Sequence, residues 1–209
     1  AKTDRFAKFD WPRIPNPKIR FPLDDAESAR LDAAEAESLE SLHSAAEANP
    51  DQIAAVIIEP IQGEGGDNHF RPQYLQALQK ATHDVGALFI VDEVQTGVGG
   101  TGKMWSYEHY GIEPDLLAFG KKMQVCGMMG GEPITDNEDN IFETSSRINS
   151  TWGGNLVDMV RGAACLEVIE EDGLLANAAK VGGDLLKGLE ELGERHDSRS
   201  WSATYIGWC

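Results

Sequence analysis

An α/β fold with a mostly parallel sheet flanked by helices is predicted by three observations. Two uninterrupted apolar runs, residues 53–58 (Ile-Ala-Ala-Val-Ile-Ile) and 87–91 (Ala-Leu-Phe-Ile-Val), read as strands buried on both faces. Between them Tyr74, Leu75, Leu78, Ala81, Thr82 and Val85 recur at helical spacing. A strand, a helix and a second strand form a βαβ unit, whose right-handed crossover makes the strands parallel.

The elements follow in order. Residues 1 to about 22 carry Pro12, Pro15, Pro17 and Pro22, which deny a continuous helix and predict an extended connector anchored by Phe6, Phe9 and Trp11. From Asp24 to Asn49 good helix formers dominate, with Leu31, Leu39, Leu42 and Ala46 on a thin apolar face; a solvated acidic helix is expected. Glu59-Pro60 closes the first strand, and Gly63-Glu64-Gly65-Gly66 reads as a turn. The next helix starts with Pro72 near its first position and stops before Gly86. Residues 116–119 (Leu-Leu-Ala-Phe) form a third short strand. Beyond Gly131 the pattern is irregular until Leu156, Met159, Val160, Ala163, Leu166 and Ile169 mark an amphipathic helix ending near Gly173. A second, from about Leu174 to Leu192, carries Leu185, Leu186, Leu189 and Leu192.

The chain has 209 residues, 41% hydrophobic and 25% charged, an ordinary globular balance. Thirty-five acidic against eighteen basic residues give a net charge of −17, which disfavours nucleic acid and anionic membrane surfaces as partners. No run approaches the ~20 apolar residues of a membrane span, and the first residues lack a signal-peptide core, so a cytoplasmic protein is expected. Cys126, Cys165 and Cys209 are odd in number, widely spaced and without C-x-x-C, and read as reduced thiols. The five histidines show neither H-x-x-x-H nor H-E-x-x-H spacing, and no metal site is expected.

Glu59 to Glu64, Asp92 to Gln95 and Lys121 lie just past the apolar runs, at strand C-terminal ends, where open α/β sheets collect ligands. A carboxylate at such a place can keep a pyridine nitrogen protonated, so that the ring accepts the electrons of a broken substrate C–H bond. A lysine that is neutral at the moment of attack can form a Schiff base with an aldehyde. Asp92 and Lys121 are therefore the pair that a pyridoxal phosphate enzyme needs to hold one aromatic aldehyde from two sides, and they point to amino-group transfer. An isolated strand-end Asp-Glu pair more commonly caps a loop or meets a basic side chain. Lysine has a reference pKa of about 10.4, lowered by burial and by cationic neighbours. Lys121 and Lys122 supply such mutual repulsion, but adjacent side chains at a strand end diverge, so one faces the cofactor and the other does not.

Gly97-Val98-Gly99-Gly100-Thr101-Gly102 matches the G-x-G-x-x-G dinucleotide fingerprint. That motif needs its glycines in the turn leaving the strand and opening a helix. Here Asp92 to Thr96 intervene, and Lys103-Met104-Trp105-Ser106-Tyr107 has no helical period. Ser150-Thr151-Trp152-Gly153-Gly154-Asn155 reads either as a phosphate cradle at a helix start or as an ordinary N-cap at Asn155.

Taken together, the segments Glu59-Pro60-Ile61-Gln62-Gly63-Glu64-Gly65-Gly66, Asp92-Glu93-Val94-Gln95-Thr96-Gly97, Thr101-Gly102-Lys103-Met104-Trp105 and Pro114-Asp115-Leu116-Leu117-Ala118-Phe119-Gly120-Lys121 resemble, in order and spacing, the class III pyridoxal-phosphate-dependent aminotransferases over roughly residues 1–194. Within the family, residues 8–13, 120–127 and 149–155 look most like the lysine 6-aminotransferase branch, with the 4-aminobutyrate branch as runner-up.

The resemblance implies the fold type I of pyridoxal 5'-phosphate transferases, and transfer of the terminal amino group of L-lysine to 2-oxoglutarate, giving 2-aminoadipate 6-semialdehyde and glutamate. It implies that Lys121 bonds the cofactor aldehyde and shuttles the proton, that Asp92 meets the pyridine nitrogen, that Val94 packs on the ring and that Gln95 bonds its phenolic oxygen. Glu59 would support the site, Asn149 would line the substrate pocket, and Thr151 would reach the phosphate of the neighbouring subunit in a homodimer. Glu64 would mask an arginine in one half-reaction and release it in the other, giving ping-pong kinetics. The domains implied are a connector and acidic helix over 1–50, the later part of the cofactor-binding large domain over 51–194, and an atypical tail over 195–209 with the small domain absent. The family's phosphate loop, ring-stacking aromatic and substrate arginines belong to segments outside these residues. A non-catalytic fragment is thus the second reading.

Overall fold

The computed structural model describes residues 7, 9–148 and 150–196. Helix α1, Asp25–Ala48, begins where Asp24 caps it by accepting from the Glu27 N–H at 2.8 Å. Strand β1, Ala55–Ile58, leads into a small antiparallel hairpin of β2, Ile61–Gln62, and β3, Asn68–His69, with the predicted glycine turn between them. Helix α2, Pro72–Asp84, has its proline at the start, and Gly86 leaves it with φ +77°, a left-handed conformation suited to glycine. Strands β4, Leu88–Asp92, and β5, Leu116–Phe119, follow, then β6, Gly127–Gly130. Helices α3, Glu132–Thr135, α4, Leu156–Glu171, and α5, Leu174–Arg195, complete the described chain.

The main sheet has the order β1-β4-β5-β6, parallel across its first two pairings and antiparallel at β5 with β6. Parallel pairing of β1 with β4 through α2 is the predicted βαβ unit. One core, formed by Leu42, Phe70, Tyr74, Leu75, Leu78, Phe89, Val91, Tyr110 and Ile112, joins α1 and α2 to the sheet. Asp115 fastens β5 to β4, since its Oδ2 accepts from the Phe89 N–H at 2.7 Å and lies 2.9 Å from His83 Nε2. Among the described residues no helix is long and apolar enough to cross a membrane.

Four expectations change. The run at 53–58 is not buried on both faces: β1 is an edge strand among the described residues, and Ile57 is 64% exposed. An apolar run specifies a strand, but its neighbours come from elsewhere in the chain. α1 is not simply solvated, because Glu27, Glu35 and Ser38 are buried on it. Arg71, just before α2, donates Nε and Nη2 to the two Glu35 oxygens at 2.7 and 2.6 Å, and Ser38 Oγ meets the Tyr74 hydroxyl at 2.8 Å. These acids lie on the inner side because a bidentate arginine satisfies one of them there. The stretch before Gly131, for which no strand is expected, contains β6. Finally, the apolar stripe of α4 is largely exposed, with Leu156 at 81% and Val160 at 71%.

Glu27 gives a pH test of the first layer. The Arg30 guanidinium, with the Arg20 N–H donating at 2.7 Å, outweighs burial and holds its carboxyl down at about 2, against an ordinary 4.5. A depressed carboxyl stabilises the fold above its unfolded pKa, and the contribution is lost as pH falls through the folded value. Glu27→Gln should therefore flatten the stability curve between about pH 4.5 and 2 while leaving its shape above pH 6 unchanged. Acid unfolding curves that stay parallel would count against this ion pair.

Candidate active site

The C-terminal ends of β4 and β5 bring together the residues that the sequence separates. Asp92 is the last residue of β4 and pairs in register with Ala118 of β5. After each strand the chain turns at once, β4 into the loop 93–105 and β5 into a 3-10 turn at Lys121–Met123. Asp92 Oδ1 accepts from the Val94 N–H at 3.0 Å, which orients the carboxylate and bends the loop over it. Lys121 Nζ donates to Gln95 Oε1, so an amine from one strand end meets an amide from the other.

Val94 supplies an apolar wall. A Cβ on Gly120 would stand 3.5 Å from Val94 Cγ1 and 3.0 Å from Cys126 Sγ, so the two strand ends approach closely where Gly120 has no side chain. Glu59, just past β1, completes the group: burial and then the Asp92 carboxylate push its carboxyl above the usual range, and Lys121 opposes them. A carboxylate, an amine, an amide and an apolar side chain thus share one sheet end, and they suit a flat, polar-edged aromatic ligand.

The other predicted residues, among those described, lie in neighbouring turns. Glu64 is exposed in the turn between β2 and β3. Thr151 is exposed in the turn before α4, and among the described residues no hydrogen bond joins it to Asp92 or Lys121. Asn149 lies outside the described residues. Of the two readings of residues 150–155, the N-cap is observed, with Asn155 Oδ1 accepting from the Val157 N–H at 2.9 Å. No α-helix opens at Gly102, where the next helical turn is a short 3-10 turn at Ser106–His109, so the dinucleotide fingerprint lacks the element it needs. A groove of about 750 Å³ runs along the outer side of β1, lined by Trp11, Ile14, Ile57, Phe70 and Tyr74 among others, and not by Asp92 or Lys121.

Sequence reasoning missed Glu93 and gave Lys122 no partner. Glu93 is fully buried, its Oε1 accepting from the Tyr107 N–H at 2.7 Å and its Oε2 from the Thr96 hydroxyl. Burial pushes this carboxyl up, against those hydrogen bonds and the pull of Lys122. A signal was present, since strand alternation turns Glu93 to the face opposite Asp92, toward the interior.

Comparison with known proteins agrees with this geometry. Residues 2–200 match the model of the aminotransferase class-III family. The L-lysine-epsilon aminotransferase of Amycolatopsis lactamdurans is 53% identical over 196 residues, which are 94% of this chain and 43% of that protein. The mitochondrial 4-aminobutyrate aminotransferase of Sus scrofa is 36% identical over 192 residues, 90% of this chain and 37% of that one. Among solved structures, a lysine aminotransferase from M. tuberculosis in the internal aldimine form superposes with a TM-score of 0.87 at 48% identity, covering 94% of this chain and 44% of that chain. The chain therefore spans less than half the length of these relatives. With the sheet, the strand-end residues and the match over nearly all its length in agreement, this chain belongs to the class III aminotransferase family.

Proposed function

We propose that these residues form the later part of the cofactor-binding domain, over 51–194, of an enzyme that transfers the terminal amino group of L-lysine to 2-oxoglutarate. The products are 2-aminoadipate 6-semialdehyde and glutamate. The observation that carries the reading is the meeting of Lys121 with Gln95 beside Asp92, at the ends of two parallel strands.

Pyridoxal 5'-phosphate, when bound, supplies an electrophilic aldehyde carbon and a ring that takes up the electrons of a broken C–H bond. The residues fit it. The Asp92 carboxylate, steadied by the Val94 N–H, is an acceptor for a protonated ring nitrogen. Val94 is the apolar surface for the ring. Gln95 gives its amide oxygen to Lys121 and keeps an amide N–H for the phenolic oxygen. Lys121 Nζ is the nucleophile and then carries the proton at the amine-bearing carbon of the substrate.

In this reading Glu59, raised by burial and Asp92, braces the site from β1. Glu64 pairs with an arginine from outside these residues while the donor is bound and leaves it when the acceptor carboxylate arrives, and Asn149 lines the substrate pocket. Thr151 serves the phosphate of a neighbouring subunit in a homodimer, which is supported by the exposed Trp152 beside it and the exposed apolar stripe of α4.

Lysine is favoured as donor because relatives named for it reach 53% and 49% identity, against 37% and 36% for relatives named for 4-aminobutyrate. Lysine, ornithine and 4-aminobutyrate should be compared as donors for the full-length protein. Lysine is expected to lead in kcat/KM by at least about tenfold, or about 1.4 kcal/mol. No turnover with lysine would defeat the donor assignment, and faster turnover of 4-aminobutyrate would move the protein to that branch.

A further inference from the structure

The glycine run at residues 97–102 opens no helix, and its geometry gives it another use. Lys122 reaches from the turn after β5 to the loop after β4, where Nζ donates to the carbonyl of Gln95 at 2.5 Å and to that of Gly97 at 3.2 Å. Space for it comes from a glycine. A Cβ on Gly100 would lie 2.8 Å from Lys122 Cε and 2.9 Å from Nζ, closer than real side-chain carbons come. Gly97 fits equally tightly below, where a Cβ would meet the Trp105 ring at 2.7 Å and the Glu93 carbonyl at 2.9 Å. The buried Glu93 carboxylate fixes the same loop through Thr96 and Tyr107.

We infer that Lys122 is a positioning residue, seated on Gln95, Gly97 and Gly100, which ties the Gln95 loop to the Lys121 turn and so sets the Gln95 amide against the Lys121 amine. The inference rests on the proposed function and adds to it a role for the second lysine. Two strand ends bear the reacting groups, and in the main sheet they are joined by β-pairing only as far as Asp92 with Ala118. Past that rung, Lys122 crosses from one loop to the other with a charged donor on carbonyl acceptors, the stronger kind of hydrogen bond. Lys121 makes the parallel crossing to the Gln95 side chain, so Gln95 is held by backbone and side chain at once. Lys122 stays exposed as a residue, and partial burial nonetheless pushes its amine below the usual lysine range, with Glu93 opposing the shift and Lys121 adding to it.

The test compares the full-length protein carrying pyridoxal phosphate with its Lys122→Met and Gly100→Ala variants. One readout is amide hydrogen exchange over residues 93–100, and the other is the pH midpoint of the visible band of the bound cofactor. Both variants should keep the band, because Lys121 is intact. Exchange in the loop should quicken about tenfold in each, as a local tie is lost. In Lys122→Met the midpoint should also rise by about half a pH unit, since a neighbouring cation has gone. Gly100→Ala keeps the charge and displaces only its seat, so faster exchange there supports positioning over simple electrostatics. Wild-type exchange and midpoint in both variants would overturn the role of Lys122, while loss of the band in a parallel Lys121→Ala protein would leave the proposed function standing. A band that survives Lys121→Ala overturns both.

Discussion

Replacement of Lys121 by alanine in the full-length protein is expected to abolish the visible band of bound pyridoxal phosphate and to lower kcat/KM for lysine more than about a thousandfold, about 4 kcal/mol. The size follows from the loss of two services at once. In the proposed reaction Lys121 Nζ would be both the nitrogen that meets the aldehyde and the base at the substrate carbon, and groups that act as a unit are not replaced piecemeal. Lys122 cannot deputise, because its Nζ is committed to the Gln95 and Gly97 carbonyls. Cofactor affinity should fall less than activity, since Asp92, Val94 and Gln95 remain. An unchanged band in Lys121→Ala would sink the assignment.

The largest stability effect is expected at Phe89. It is fully buried as the second residue of β4 and belongs to the core shared with Leu75, Leu78 and Tyr74. Phe89→Ala leaves a cavity between a parallel strand and the helix that crosses over it, a site with little room to collapse, and should cost about 3–5 kcal/mol. Its N–H donates to Asp115 Oδ2 and its carbonyl accepts from the Asp115 N–H, so the cavity also undermines the rung that aligns β5. Urea unfolding measures this directly, and a loss below about 1 kcal/mol would mean that the core is centred elsewhere.

The parts of the fold that the sequence announces are those fixed by local chemistry. Pro72 and Gly86 bracket α2, continuous Val, Ile and Leu runs mark β1, β4 and β5, and the acids and amines just beyond them fall at strand ends as a parallel sheet demands. What was hidden depends on contacts between distant segments. Gly-Met-Met-Gly carries little strand preference, and β6 forms because it pairs with β5, its Gly127 accommodating the Phe119 ring where a Cβ would come within 2.5 Å. Glu35 looked like a solvent-facing acid until Arg71, 36 residues later, met it. Asp92 and Lys121 could be singled out because strand ends are conspicuous. For Glu93 strand alternation marked only the inward face, and for Lys122 nothing did, because its partners are backbone carbonyls, which no side-chain pattern encodes.

Insertions and substitutions are not equivalent between Asp92 and Lys121. The excursion from residue 93 to 115 leaves the sheet and returns to it, with Asp92 beside Ala118 and Asp115 hooked to Phe89 as fixed moorings. At its outer edge Glu113 is exposed and its identity can drift over generations at little cost, whereas Glu108 and His109, exposed too, hold the Trp105 N–H and Thr101. Adding one residue inside β4 or β5 would turn every following side chain to the other face and carry Lys121 away from Asp92. Descendants of this sequence are therefore free to repaint that surface, while the spelling of the two strands that moor it must keep its letter count.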